Sequence, residues 1–139
     1  MARLIKADAD TVQKDRIGCA REFALSHEVY VVLKGARTVI AMPDGRVHVN
    51  PTGNPGMASG GMGDVLTGMI AGFIAQQYSI KSALRVAVYL HGAAADVLQQ
   101  TRAPYGFLAT DVANILPDTI KSVMDGTFVN LSSAYTPIL

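Results

Sequence analysis

A glycine-rich segment over residues 50–64 limits the folding of this chain more than any other feature. Five of its fifteen residues are glycine and two are proline, and such a segment cannot pack a core or extend a regular element. A strongly apolar pattern with helical spacing follows at once. We therefore predict a loop over residues 51–63 and a helix over residues 64–77, in which Gly68 and Gly72 would allow close packing.

The junction between this loop and the helix has the properties of an anion site. The backbone N–H groups of Gly61, Met62 and Gly63 would face a phosphate, with the positive end of the helix dipole behind them. The side chain of Met62 would point away from the ligand. Asp64 would then act as a general base on the group that joins or leaves the phosphate. The alternative is a glycine-rich turn in which Asp64 only caps the helix.

The remaining pattern predicts an α/β fold. The β-branched run at 29–33 favours a strand buried on both faces, as in a parallel sheet, and Pro43-Asp44-Gly45 favours a hairpin. The elements in chain order are a helix over 8–26 capped by Asp8 or Asp10, a strand over 29–33, strands over 38–42 and 46–50, a helix from Ser79 or Ser82 to Gln100, a loop at 104–106, and a helix from Thr110 or Asp111 to about Met124. One buried strand and a hairpin form a small sheet for these helices. We therefore interpret the chain as an incomplete sheet with a hairpin and flanking helices.

Composition excludes several functional classes. Half of the residues are apolar and 17% are charged, which is typical of a globular domain. The net charge of +1 gives no indication of a nucleic-acid surface, and we expect no membrane partner because no apolar run has membrane-spanning length. A single cysteine, Cys19, excludes an internal disulfide framework and favours a cytoplasmic location.

Charged residues elsewhere offer fewer candidates for chemistry. Lys34 and Arg37 follow the strand at 29–33, where ligands gather in α/β sheets, so they either face phosphates or lie in a solvated turn. His91 interrupts an apolar helix, and we expect it to be packed rather than catalytic. We predict no metal site, since no second ligand lies at a suitable spacing from it. Asp96 is interpreted as a charge on a helix face.

The segment Asn50-Pro-Thr-Gly-Asn-Pro-Gly-Met-Ala-Ser-Gly-Gly-Met-Gly-Asp-Val-Leu-Thr-Gly68 resembles the signature of the ADP/ATP-dependent NAD(P)H-hydrate dehydratases. These enzymes form the ribokinase-like C-terminal domain of the bifunctional nicotinamide nucleotide repair proteins. The similarity extends upstream through 15–17 and 32–40 and downstream through 91–96 and 105–111. It implies a ribokinase-like three-layer fold, of which this chain would hold the C-terminal portion in residues 1–125, followed by a tail at 126–139.

The resemblance also implies a role for each matched position. Asp64 would bind the hydrated nicotinamide nucleotide and act as the catalytic base. Phosphorylation of the ring hydroxyl by ADP or ATP, with Mg²⁺ accompanying the nucleotide, and loss of phosphate would restore NADH or NADPH from the S-form of the hydrate. The nucleotide would contact Lys34, Gly35, Ala36, Arg37, Thr38, Asn54, Ser59, Gly60, Gly61, Met62 and Gly63.

Family members carry a further N-terminal part of the same domain, so the resemblance implies an incomplete site and weak or no activity in this chain alone. Exposed strand edges would favour a homo-oligomer. Two alternatives stay open: a vitamin-precursor kinase of the same superfamily, and an inert nucleotide-binding fragment. The run Asn54-Pro-Gly-Met-Ala-Ser59 favours the dehydratase over the kinases.

Overall fold

A computed structural model describes residues 1–103 and 105–129, and the chain divides into two compact units, Met1–Asn50 and Pro51–Leu139. The fold class is α/β, as the sequence predicts, with a small sheet and flanking helices. Residue 104 of the predicted loop and residues 130–139 of the predicted tail lie outside the described residues. Among the helices of the described ranges, none combines the length and apolarity needed to cross a membrane.

Three helices begin the first unit: α1 (Ala2–Ile5), α2 (Ala9–Lys14) and α3 (Arg16–His27). The continuous helix predicted over 8–26 is wrong at one point, because Asp15 leaves the helical region with φ −141° and ψ 72°. Its carboxylate accepts a hydrogen bond from the Gly18 N–H at 2.7 Å and so caps a new helix. Asp8 caps α2 as predicted, accepting from the Thr11 N–H at 2.6 Å.

The sheet of the first unit is an antiparallel meander of β1 (Val31–Leu33), β2 (Val39–Ala41) and β3 (Val47–Val49). Strand β2 lies in the centre, and its three residues are all buried. The predicted hairpin between β2 and β3 is confirmed. Its turn contains Gly45 in a left-handed conformation with φ 81°, which glycine adopts without strain.

The prediction of a parallel strand buried on both faces is wrong for β1. This strand is half-buried and pairs with β2 alone among the described residues. A parallel pairing needs a crossover of a dozen or more residues, whereas residues 34–38 return the chain directly to β2. The apolar run therefore packs one face of a short meander against α3, where the core residues are Ala20, Ala24, Val39 and Ala41.

The second unit contains a 3₁₀ turn (Pro55–Met57) and three helices, α4 (Met62–Ala75), α5 (Ile80–Gln99) and α6 (Ala109–Met124). Ser79 caps α5 as one of the two predicted alternatives, accepting from the Ser82 N–H at 3.2 Å. Helix α6 begins one residue before the predicted cap at Thr110, because Leu108 is the N-cap residue. The three helices share a core of Met62, Ala94, Ala95, Leu98, Phe107 and Val112.

Close approach within this unit occurs at Gly92 of α5 rather than on α4. A Cβ atom at Gly92 would lie 2.3 Å from Thr52 Oγ1 and 2.7 Å from the Thr52 carbonyl carbon. The Thr52 hydroxyl also donates to the Tyr89 carbonyl at 2.8 Å. A Cβ atom at Gly68 or Gly72 meets no described atom within 4 Å, so the expected close packing there is wrong. Helix α5 therefore holds the start of the glycine-rich segment against its own backbone.

We expect Gly92→Ala to lower the free energy of unfolding by about 1–3 kcal/mol, because the new methyl group overlaps the backbone of Thr52. Gly68→Ala is the matched control, since it adds the same methyl group to a helix at an open position and should stabilise it by about 0.5–1 kcal/mol. Urea denaturation of both variants checks the difference. Equal effects of the two substitutions would contradict the packing described here.

Candidate functional site

The first turn of α4 presents three unused backbone donors. Gly61 is the N-cap residue and has φ 82°, a left-handed conformation that directs the loop into the helix. The N–H groups of Gly61, Met62 and Gly63 donate to no acceptor among the described residues, whereas the Asp64 N–H bonds back to the Gly61 carbonyl at 3.0 Å. Three donors at the positive end of a helix dipole are suited to bind an anion such as a phosphate.

Helix α4 begins two residues earlier than the sequence predicts, which alters the local role of Met62. As the first residue of the helix, Met62 is 1% exposed and packs in the core with Leu98 and Phe107. The predicted orientation of its side chain, away from a ligand at the loop, agrees with this burial. Gly60 and Gly61 just before it are exposed, so only backbone lines this part of the loop.

Asp64 is the third residue of α4 and is exposed. The capping alternative is wrong, because Gly61 occupies the N-cap position and no side chain caps this helix. The Asp64 carboxylate forms no hydrogen bond or ion pair with any residue that the structure describes. A carboxylate without a structural partner, in the same helical turn as three unused N–H donors, is available to take a proton from a bound group.

The start of the glycine-rich loop is held by Asp96 of α5, a residue that the sequence did not single out as functional. One carboxylate oxygen of Asp96 accepts from the Gly53 N–H at 3.0 Å, and the other accepts from Asn54 Nδ2 at 3.1 Å. The side-chain oxygen of Asn54 in turn accepts from the Gly56 N–H at 3.0 Å. Both polar ends of the Asn54 amide are therefore engaged within the protein.

In the first unit, the segment Lys34–Thr38 forms the turn between β1 and β2. Gly35 has φ 144° and Arg37 has φ 55°, and Thr38 Oγ1 donates to the Gly35 carbonyl at 3.2 Å. The side chains of Lys34 and Arg37 are exposed. The turn therefore carries two exposed basic side chains, whose charge is suited to contact with nucleotide phosphates.

Arg16 of α3, in the same unit, supports this turn through hydrogen bonds. Its guanidinium donates to the Leu33 carbonyl at 3.0 Å and to the Ala36 carbonyl. The φ angle of Gly35 favours glycine at this position, and a Cβ atom there would lie 2.8 Å from Arg16 Nη2, so a larger residue would displace the guanidinium. Arginine suits this role because its planar group donates in several fixed directions.

The predicted site residues fall into two groups that the structure describes separately. Lys34, Gly35, Ala36, Arg37 and Thr38 lie together in the unit Met1–Asn50. Asn54, Ser59, Gly60, Gly61, Met62, Gly63 and Asp64 lie together in the unit that begins at Pro51. Within the second group, one loop and the first turn of α4 bring the three N–H donors and the Asp64 carboxylate close together.

The donor set fits a nucleotide phosphate better than a metal held by protein alone. In the described part of the chain, no three His, Cys, Asp or Glu residues gather at a metal-binding distance. Mg²⁺ is commonly bound through one or two carboxylates together with substrate phosphates. A bound nucleotide would therefore supply most of the ligands of Mg²⁺ through its phosphates. His91 is 4% exposed inside α5.

Comparison with known proteins identifies the family. The family model described as NAD(P)H-hydrate dehydratase matches residues 1–118. This chain belongs to that family. It is 46% identical over 123 residues to the bifunctional NAD(P)H-hydrate repair enzyme of Moorella thermoacetica and 43% identical over 119 residues to the ADP-dependent (S)-NAD(P)H-hydrate dehydratase of Bacillus subtilis.

A crystal structure of the Bacillus subtilis ADP/ATP-dependent NAD(P)H-hydrate dehydratase, co-crystallised with ATP and Mg²⁺ and soaked with CoA, has the same fold. The TM-score is 0.84 at 42% identity, over 86% of this chain and 44% of that one. The ribokinase-like fold implied by the sequence is therefore confirmed. The chain spans 23% of the length of the Moorella protein and 43% of the Bacillus protein.

Two supporting residues of this dehydratase-family chain were missed from sequence, and the signal for each was weak. Asp96 follows three alanines on α5, all of them buried, so helical spacing alone places it beside a buried stripe. Arg16 begins a helix in the segment 15–17 that resembles the family, but nothing in its neighbourhood shows that it reaches two carbonyl groups seventeen and twenty residues away. Such contacts depend on tertiary structure.

Burial raises the pKa of Asp96 above its ordinary value of 3.8, although hydrogen bonds from Gly53 and Asn54 act in the opposite direction. The pKa of Asp111 is lowered by the Leu108 N–H and by Arg102, whose guanidinium lies 2.9 Å from its carboxylate. The two carboxyl groups therefore affect stability with opposite dependence on pH. Asp111 favours folding above its ordinary pKa, and this contribution is lost as the pH falls through its lowered pKa.

We expect the stability difference between the wild type and Asp96→Asn to change in favour of the variant as the pH rises from 3.8 through the raised pKa of Asp96. In that interval the folded protein keeps a proton that the unfolded chain has released, so rising pH favours unfolding of the wild type. Urea denaturation over a pH series measures the effect, with exposed Asp118→Asn as control. A difference that changes in favour of the wild type as the pH rises would contradict the raised pKa.

Proposed function

We propose that this chain supplies the phosphate-binding loop and the catalytic base of an NAD(P)H-hydrate dehydratase. The reaction would convert the S-form of hydrated NADH or NADPH back to NADH or NADPH, with ADP or ATP as phosphoryl donor. The observation that carries the proposal is the exposed Asp64 carboxylate in the same helical turn as three unused N–H donors. The names of the relatives support the substrate and the donor.

In this mechanism, Asp64 accepts the proton of the ring hydroxyl as that oxygen attacks the terminal phosphorus of the nucleotide. The N–H groups of Gly61, Met62 and Gly63 stabilise the negative charge on the phosphoryl oxygens. Because these donors are fixed by the loop before the ligand arrives, little reorganisation accompanies the transfer. This transfer releases AMP from ADP or ADP from ATP. Elimination of the phosphate, together with a proton from the adjacent ring carbon, then restores the dihydronicotinamide ring.

The remaining predicted contacts have supporting roles in the proposal. Lys34 and Arg37 on the β1–β2 turn would neutralise nucleotide phosphates, and Ser59 and Gly60 would line the approach to α4. Mg²⁺ would be held mainly by the phosphates and would offset their charge. Co-crystallisation of the Bacillus protein with ATP and Mg²⁺ supports this donor and this ion.

We also propose a homo-oligomer in a reducing, cytoplasmic location. The outer edge of β1 pairs with no strand in the described residues, and an open edge favours association with another chain. The single cysteine, Cys19, is consistent with a reducing compartment.

A direct assay tests the proposed reaction. Chemically hydrated NADH is incubated with the 139-residue chain and either ADP or ATP, and the absorbance of NADH is followed. NADH that appears with one nucleotide alone supports the dehydratase and identifies its donor. Saturable ADP binding without turnover supports the nucleotide-binding part and contradicts an independently active site. The absence of both turnover and nucleotide binding would contradict the proposal.

Product analysis separates the dehydratase from a vitamin-precursor kinase of the same superfamily. A dehydratase releases inorganic phosphate, whereas a kinase leaves a stable phosphorylated product. The family assignment does not favour the kinase.

We expect Asp64→Asn to lower turnover at least about 100-fold, because an amide cannot accept the hydroxyl proton. ADP should bind at least as tightly as to the wild type, since a negative charge next to the phosphates has been removed. Turnover and calorimetric ADP titrations measure the two effects, with Asp118→Asn as the control for removal of an exposed helical carboxylate. Wild-type turnover in Asp64→Asn would show that another group is the base.

A further inference from the structure

We propose that Asp96 is a positioning residue for the glycine-rich loop, and that the Asn54 side chain helps to hold this loop and does not contact the nucleotide. The brace is the hydrogen-bonded set of Gly53, Asn54, Gly56 and Asp96. Its consequence for nucleotide affinity rests on the proposed function, whereas its effect on the loop does not. This proposal replaces the prediction that Asn54 contacts the nucleotide directly.

The hydrogen-bond pattern of the brace requires one carboxylate and one amide. The Gly53 N–H donates to the side chain at position 96, and the Gly56 N–H donates to the side chain at position 54. Each of these two side chains must therefore offer an oxygen. One donor must then join the two side chains, and Asn54 Nδ2 provides it. Two amides would leave one of these bonds unmade, and two carboxylates would bring like charges together.

The burial of Asp96 argues against a purely stabilising role. The residue is 0% exposed, and both of its partners are neutral donors. Burial opposes the charged form more than the two hydrogen bonds favour it, so the pKa is raised. A buried carboxylate that opposes folding in this way is explained by the specific geometry that it imposes on the loop.

The brace affects the whole loop because residues of α5 hold both ends of it. Asp96 fixes its beginning at Gly53 and Asn54. The neighbouring Ala94 and Ala95 share a hydrophobic core with Met62, the first residue of α4, at the other end of the loop. A Cβ atom at Gly56, between these points, would lie 2.4 Å from the Phe107 ring of the same core. A shift at Asp96 would therefore be transmitted to the N–H donors before Asp64.

The test uses four variants: Asp96→Asn, Asn54→Asp, the double variant with both changes, and Asp118→Asn as an exposed control. The double variant exchanges the carboxylate and the amide between positions 54 and 96. The new amide oxygen at position 96 would accept from the Gly53 N–H, and the amide nitrogen would donate to the new carboxylate at position 54. That carboxylate would also accept from the Gly56 N–H, so every bond of the brace is remade.

Amide hydrogen exchange by NMR at Gly53 and Gly56 reports the loop, calorimetric titration with ADP reports the site, and urea denaturation reports global stability. We expect each single variant to exchange about tenfold faster at one or both glycines and to bind ADP about tenfold more weakly. The double variant should return both values to within about threefold of the wild type. Asp118→Asn should match the wild type in all three measurements.

Three outcomes would overturn the proposal. Unchanged exchange in the single variants would show that no brace exists. Loss of global stability in proportion to exchange, with unchanged ADP affinity, would indicate a role in folding alone. Recovery of exchange but not of ADP affinity in the double variant would show that Asn54 contacts the nucleotide directly.

The design also covers two complications. If a single variant does not fold, the other single variant and the double variant form the comparison, and the same exchange and ADP-binding measurements decide between a positioning role and a role in folding alone. If the wild type binds neither ADP nor ATP, the proposed function fails, and the exchange rates of the variants still decide whether Asp96 positions the loop.

Discussion

The close contact between the start of the glycine-rich loop and α5 determines the geometry of the candidate site. Two features of α5 make it possible: Gly92 has no side chain, so the backbone of Thr52 approaches closely, and Asp96 one turn later accepts the next N–H group. The loop leaves this contact in a fixed direction and enters α4 through the left-handed Gly61. The course of the loop therefore sets the position of the three unused N–H donors at the start of α4.

A similar arrangement supports the β1–β2 turn in the first unit. Arg16 donates to backbone carbonyls of the turn, whereas Asp96 accepts from a backbone N–H of the loop. In both cases one ionisable side chain from a helix forms hydrogen bonds with the main chain of the segment that it supports. Loops that bind phosphate through their backbone need such support, because glycine-rich chain has high conformational entropy when it is not held.

The sequence predicts α4, α5, α6, the hairpin and the glycine-rich loop because each depends on local signals, namely apolar spacing, glycine content and a Pro-Asp-Gly turn. It does not predict α1, the helix break at Asp15, the pairing of the run at 29–33 or the burial of Asp96. The run at 29–33 is compatible with a parallel or an antiparallel strand, and only the short connection to β2 selects the latter. The sequence alone indicates a charge on a helix face for Asp96, because the pattern does not show which elements cover this residue. Nonlocal contacts of this kind leave almost no trace in a single sequence.

Asp64 and Asp96 are chemically identical groups whose environments separate the roles that we propose for them. Asp64 is exposed and has no partner among the described residues, so its lone pairs remain available for proton transfer. Asp96 is buried and accepts from two fixed donors, so its lone pairs are already used in positioning the loop. Exchange of these environments would abolish both tasks, since a base enclosed by neutral donors cannot reach a substrate and a solvated carboxylate does not fix a loop. The proposed roles of these two aspartates therefore differ through burial and hydrogen bonding, and not through their side-chain chemistry.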